Sequence, residues 1–255
     1  MSSLNVYELG EIHRSAIDAS RPRGSLAAKP SQLTRYANPA ADTAYPLEYA
    51  FHLLGDIQDK TVLEYGCGDG ENTLQLASRG ARVIGIDISP DLLQIAQYRL
   101  SVNHVSADLR AVSGYDTAMP DASADVVFCI AVLHHLDLEK ARQEALRVLK
   151  PGGVLILQEP MRDSRTYAFL RGLIPYSPHD ISDFERPLRS NELDGFSAGM
   201  ECEAKRRFRL PFVSVAGFAS PWLLNPAFVI DHWLLTTIPF LEHWATIEVR
   251  KLRKV

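Results

Sequence analysis

Six acids, histidines and glycine groups in this chain stand where a small-molecule site would need them. Residues 61–73 read Thr-Val-Leu-Glu-Tyr-Gly-Cys-Gly-Asp-Gly-Glu-Asn-Thr. Gly66, Gly68 and Gly70, at alternate positions, let the backbone turn sharply and approach a ligand where a Cβ would clash. The helical pattern that begins near Glu71 turns unpaired N–H groups toward whatever covers the loop. Glu64 stands two residues ahead of the first glycine, where a carboxylate favours a ligand carrying an ammonium group over an anion. Asp87 lies about twenty residues further on, where βαβ nucleotide folds put an acid for ribose hydroxyls. His134 and His135 are adjacent, and imidazole is neutral and basic near pH 7, so either one, or Glu159, is a candidate general base. The other reading of the two histidines is that they only shape a pocket.

The elements that must hold these residues are legible from periodicity. Thr61 to Leu63, Arg82 to Asp87, Val126 to Ile130 and Val154 to Leu157 are short apolar, β-branched runs, the pattern of parallel strands buried on both faces. A third strand is expected at about 109–113, a sixth at Glu201–Arg209 and a last one at Ala245–Lys254. Between the strands, Leu92, Leu93, Ala96 and Leu100 mark one helix, capped by Ser89-Pro90-Asp91. Leu138, Ala141, Ala145 and Val148 mark another, capped by Asp137 and stopped by Lys150-Pro151-Gly152-Gly153. Leu47, Ala50, Phe51 and Leu54 predict a helix over 47–57, packed ahead of the first strand. Ser190 is expected to cap a short helix. The fold class is α/β: a doubly wound, mostly parallel, seven-stranded Rossmann-like sheet, with an N-terminal helical cap and an insertion before the last strand.

The glycine spacing is G-x-G-x-G, not the G-x-G-x-x-G of a dinucleotide turn. With Glu64 ahead of it, this turn resembles motif I of the class I S-adenosylmethionine (SAM)-dependent methyltransferases. The string Arg147-Val148-Leu149-Lys150-Pro151-Gly152-Gly153 is also characteristic of that family, and the resemblance covers about Leu47 to Pro160. It implies a methyltransferase that uses SAM as its cofactor and acts on a small molecule, hydrophobic or lipid-like if the apolar stretch at 210–241 forms a lid; the sequence shows no carboxylate cluster that calls for a metal. It further implies that Glu64, Gly66, Cys67, Gly68 and Gly70 receive the methionine part and Asp87 with Ile88 the ribose. Tyr115 and Asp116 would meet the adenine, although the family's order of acid then small residue is not kept there. Ile130 ends the strand whose loop faces the sulfonium. A noncatalytic SAM-binding regulatory protein is the alternative from another class. A nicotinamide oxidoreductase is a third reading, disfavoured by the glycine spacing.

Composition sets the outer bounds. The chain has 255 residues, 46% hydrophobic and 23% charged, with a net charge of -4, which gives no reason to expect nucleic acid as a partner. Three scattered cysteines form no C-x-x-C pair, and the first residues lack an apolar signal core, so the chain reads as cytoplasmic. Residues 1–38 read as a loosely ordered arm, or by the resemblance as a cap with Tyr36 or Tyr45 at the cofactor. The SAM-binding core spans 39–160, and 161–255 hold substrate-lid segments and the final strands. Residues 161–194 mix arginines and His179 with aromatics, as a lid or as a solvated helix would. Leu210 to Ile230 carries no charge, and 233–241 is also apolar. Lid helices over a greasy pocket, peripheral membrane contact through 210–241 and an oligomer interface are its three readings, in that order. Prolines at 211, 221 and 226 argue against a membrane span.

Overall fold

The structure, a computed structural model, describes residues 6–20, 24–163 and 186–255. The chain runs α1 (Val6–Ser20), α2 (Pro30–Ala37), α3 (Pro46–Leu54), β1 (Thr61–Tyr65), α4 (Glu71–Ser78), β2 (Arg82–Asp87), α5 (Pro90–Val102) and β3 (Asp108–Ala111). It continues with β4 (Ala124–Ile130), α6 (Leu138–Val148), β5 (Leu149–Pro160), α7 (Ser190–Phe196), β6 (Met200–Phe208), α8 (Pro211–Ala219), α9 (Leu224–Thr237) and β7 (Ile247–Lys254). The seven strands lie in the order β3-β2-β1-β4-β5-β7-β6. β7 runs antiparallel to both of its neighbours, and the other pairings are parallel.

Strand alternation divides the core between the two faces of the sheet. Leu63, Val127, Leu155 and Leu157 point to the face covered by α6 and α7, where Ala141, Ala145, Leu193 and Phe196 meet them. Val62, Val126, Phe128 and Ile156 point to the other face, against Ala50, Phe51 and Leu54 of α3. Register then sets the site. Tyr65 stands opposite Ile86 and Cys129, so Gly66, Asp87 and Ile130 emerge together at one edge. That edge lies between β1 and β4, where the winding of the chain reverses, the place where open α/β sheets bind ligands.

Local chemistry ends the elements where expected. The Ser89 hydroxyl accepts from Leu92 N–H at the start of α5, and the Asp137 carboxylate accepts from Glu139 and Lys140 N–H at the start of α6. The stop signal at Lys150–Gly153 ends α6 at Val148, but Leu149 already pairs with Ala124. β5 therefore starts earlier than expected, with the glycines bulging out before Val154 resumes the ladder opposite Val126. Four further expectations are corrected. The third strand is Asp108–Ala111, because its partner β2 ends at Asp87. Ser190 is the first helical residue rather than the cap, and its hydroxyl and N–H both bond the Asp163 carboxylate. Within the first 38 residues, 6–20 and 30–37 are helical, not a loose arm. Tyr36 packs on Phe51 and Tyr45 on Phe228, and neither lines the cavity at the edge that holds Asp87. Of the lid residues singled out in 161–194, Arg165, Tyr167, Phe169, Arg171, Tyr176, His179, Asp180 and Phe184 lie outside the described residues.

The insertion between β6 and β7 holds α8, α9 and two short 3-10 turns. Leu210, Leu235 and Ala245 form its small interior, and the Asp231 carboxylate, fully buried, accepts from Arg209 and Leu210 N–H at 2.8 and 2.7 Å. Its outer side is apolar as well. Phe218 is 86% exposed, Trp222 74% and Trp233 60%, so this surface covers nothing within the described residues.

Candidate functional site

A cavity of about 290 Å³ opens at the carboxyl ends of β1, β2 and β4. Tyr65, Gly66, Asp87, Ile88 and Ile130 form its floor, and Val112, Gly114 and Tyr115 one wall. Ala131, Val132, His135 and Leu136 form the opposite wall. α1 covers it, with Glu8, Glu11, Arg14, Ser15 and Asp18 turned inward.

The glycine turn does what its spacing demands. Gly66 has φ +71°, and a Cβ there would fall 2.5 Å from a Val132 methyl, so backbone and wall touch only because the side chain is missing. Gly70 has φ +82° and packs against Ala96, where a Cβ would lie 2.8 Å from the alanine methyl; this lets α4 and α5 approach. Gly68 N–H donates to one oxygen of Asp87 at 2.9 Å and Ser89 N–H to the other at 2.9 Å. Burial raises the Asp87 pKa, and these two donors oppose the shift. The carboxylate is thus fixed in orientation while it faces the cavity.

Six of the residues singled out from sequence line this cavity: Gly66, Asp87, Ile88, Tyr115, Ile130 and His135. The others stand behind the wall. Glu64 is buried under the turn and accepts from the Thr73 hydroxyl at 2.5 Å. Burial pushes its pKa up to about 8, with Asp87 and Asp69 adding to the rise and Thr73 opposing it. Cys67 donates its N–H to Ile86 O, and burial pushes its thiol up. Gly68 and Gly70 shape the turn without lining the cavity, and the Asp116 carboxylate turns to Ala118 N–H. His134 and Glu159 are buried and bonded to each other, Nδ1 to Oε2 at 2.8 Å. Neither is among the residues that line the cavity.

His135 does reach it. Its Nδ1 lies 3.4 Å from the Glu11 carboxylate without hydrogen-bond geometry, and that atom is buried with no hydrogen-bond partner among the described residues. Burial lowers its pKa to about 3, with His134 and Arg14 adding to the drop. The imidazole is therefore neutral at pH 7 and a weak base. The Tyr65 hydroxyl is also buried without a hydrogen-bond partner among the described residues. Both atoms are closed off from solvent, and leaving such groups unpaired costs about 1–3 kcal/mol each. Acids outnumber bases around the cavity: Glu8, Glu11, Asp18 and Asp87 against Arg14. Such a field favours a cationic ligand. Among the described residues, no cluster of three or more histidines, cysteines or acids is placed to hold a metal ion.

The α1 side chains went unread in the sequence. Glu8, Glu11, Ser15 and Asp18 recur at intervals of three and four, one face of a helix. A search for apolar stripes passes over such a face because the stripe is polar. Spacing alone, read without regard to polarity, would have found it.

Residues 63–157 match the model of a methyltransferase domain family. Over 157 residues the chain is 33% identical to a ubiquinone biosynthesis O-methyltransferase of Alkalilimnicola ehrlichii, covering 58% of this chain and 62% of that protein. It is 30% identical over 151 residues to the enzyme of the same description from Nitrosomonas europaea, covering 55% of this chain and 64% of that one. The chain thus spans less than two thirds of the length of these curated relatives. Among solved structures, geranyl diphosphate C-methyltransferase from Streptomyces coelicolor A3(2) superposes over the full length of both chains with a TM-score of 0.63 at 15% identity. The [4+2]-cyclase SpnF aligns with a TM-score of 0.60 at 17% identity, covering 99% of this chain and 97% of that one. At such identities these two share the fold.

Proposed function

We propose that this chain is a class I SAM-dependent methyltransferase, built on the methyltransferase domain match at residues 63–157, and that it transfers a methyl group from SAM to a hydroxyl of a small, lipid-like acceptor. The observation that carries this reading is the cavity between β1 and β4, where Asp87 and the Gly66 turn share one floor. Asp87, held by Gly68 and Ser89, would accept from the ribose hydroxyls, and Ile88 and Tyr115 would flank the base. The acids of α1 would favour the cationic amino acid end. When bound, SAM supplies an electrophilic methyl group on a sulfonium. The residues of this chain contribute position and exclusion of water, which together account for much of the acceleration in such displacements. His135, neutral and on the wall, would accept a hydrogen bond from the acceptor hydroxyl and aim its oxygen. Its depressed basicity suits that role better than full proton removal.

Two observations support a lipid-like acceptor. The curated relatives named above are O-methyltransferases of ubiquinone biosynthesis. The chain's three tryptophans, Trp222, Trp233 and Trp244, all stand on the exposed outer side of the insertion. Such a side would rest on a lipid surface, where Trp favours the interface. No described helix is long and apolar enough to cross a membrane.

Calorimetric titration with SAM and S-adenosylhomocysteine tests the site, with Asp87→Ala as the control. Micromolar binding weakened at least about tenfold in the variant is expected, the loss of one or two charge-assisted hydrogen bonds. Wild-type protein that binds neither compound overturns the reading. Transfer of labelled methyl from SAM into a lipid extract then tests the acceptor class. A SAM-binding protein without transfer to any lipid or phenol would leave the noncatalytic alternative standing.

A further inference from the structure

The cavity wall from Ala131 to His135 is held from behind by one carboxylate. Glu159 is the last residue but one of β5 and is fully buried. Its Oε1 accepts from Val132 N–H at 2.9 Å and from Leu133 N–H at 2.8 Å, and its Oε2 lies 2.8 Å from His134 Nδ1. One residue earlier, Gln158 O accepts from Ala131 N–H at 2.7 Å. Ala131 has φ +58°, a left-handed conformation that costs a residue with a Cβ about 1–2 kcal/mol and needs support from its surroundings. The end of β5 supplies that support. The two imidazoles then lie in contact, ring centroids 4.0 Å apart and tilted by 40°, so the orientation of His134 constrains that of His135.

We infer that Glu159 is the positioning residue of this site: through two backbone N–H groups and His134 it fixes the wall that carries Val132 and His135. An ionised carboxylate accepts only, so it satisfies all three donors and requires the His134 proton on Nδ1. The strand beyond makes this arrangement tolerable. Glu248 of β7 stands directly opposite Glu159 in the ladder, also fully buried. Two like charges in that relation repel, but Glu248 is paired with Arg207 at 2.7 Å and Arg250 at 2.5 Å. With Glu248 neutralised from its own side, Glu159 remains available to the β4 loop.

This inference rests on the methyltransferase reading only for the choice of ligand, and the test separates the two. The ring nitrogens of ¹⁵N-histidine-labelled protein report the tautomer of each imidazole without any ligand. Wild type is expected to show His134 with its proton on Nδ1. In Glu159→Gln the amide oxygen still accepts from Val132 and Leu133, but its NH₂ group cannot accept from Nδ1. His134 is then expected to move its proton to Nε2, and the His135 resonances to shift with it. Titration with S-adenosylhomocysteine should be weakened no more than about threefold in Glu159→Gln and more than about tenfold in Glu159→Ala, which takes the carboxylate away from both backbone donors and from His134 Nδ1. A His134 proton on Nε2 in the wild type, or His135 resonances unmoved in Glu159→Gln, overturns the inference. Equal affinities of Glu159→Ala and wild type do so too. If Glu159→Ala does not fold, the tautomers in Glu159→Gln still decide. If wild type fails to bind S-adenosylhomocysteine, the methyltransferase reading falls and the tautomers again judge Glu159.

Discussion

The sheet core and the insertion between β6 and β7 are both rich in apolar residues, yet they use them in opposite ways. In β1, β4 and β5 the buried apolar side chains pack against helices on both faces of the sheet, and the buried carboxyl groups there are paired, Glu64 with Thr73 and Glu159 with His134. In α8, α9 and the adjoining turns, apolar residues occupy the inner side and the outer side alike. Nine of the twelve large apolar side chains that are exposed among the described residues fall between Val215 and Trp244. Hydrophobicity in the core is spent on holding a polar site still; in the insertion it remains available to something outside the chain.

The comparison breaks most plainly by truncation. Phe128→Ala, which removes a fully buried ring packed 5.1 Å from the Phe51 centroid, should cost about 3–5 kcal/mol in chemical denaturation. Gly66→Ala sharpens it at the site. A methyl directed at Val132 from a residue at φ +71° should cost about 2–4 kcal/mol in the same measurement and remove S-adenosylhomocysteine binding. A retained affinity would mean that the wall can move.

A third test uses pH. The folded-state pKa of Glu64 is raised to about 8 from 4.5, so the folded protein holds a proton that the unfolded chain has released across that window. Stability contributed by the neutral form is therefore present below pH 4.5 and lost as pH rises through 8, by at most about 1.4 kcal/mol per unit. His135, depressed from 6.5 to about 3, acts with the opposite sign, but only below its unfolded value. Thermal melts between pH 6.5 and 8 should thus fall with pH in the wild type and flatten in Glu64→Gln. An unchanged slope would remove Glu64 as the cause.

The smallest effect on stability belongs to the insertion. Trp222→Ser with Trp233→Ser should change unfolding free energy by no more than about 0.5 kcal/mol per site, as exposed positions do, while co-sedimentation with phosphatidylcholine vesicles falls several-fold. A large loss of stability would show that these rings are covered within the protein. Unchanged vesicle binding would remove the lipid contact.

Much of the fold was legible in the sequence for a local reason. Strand alternation, helix caps at Ser89 and Asp137 and the left-handed glycines are dictated by residues within a few positions of one another, and each came out where it was expected. The candidate site was half legible. Gly66, Asp87, Ile88, Tyr115, Ile130 and His135 line the cavity because strand ends in parallel register must meet at one edge. Glu159 and His134 were found as residues able to do acid–base chemistry, but not as a buried pair bonded to each other behind the cavity wall. Their relation depends on side-chain direction at the ends of two strands, which residue type does not carry.

By itself, the sequence determined the sheet, the glycine turn and the acids that follow it, since backbone conformation and hydrophobic period are properties of short stretches. Tertiary structure alone decided three things. It laid α1 over the cavity, bringing Glu8 to Ser113 across 105 residues of chain. It set Glu159 behind the wall instead of in it. It also turned the second apolar side of 215–244 outward. A helix that is apolar all round has no preferred inner face until its neighbours take one side.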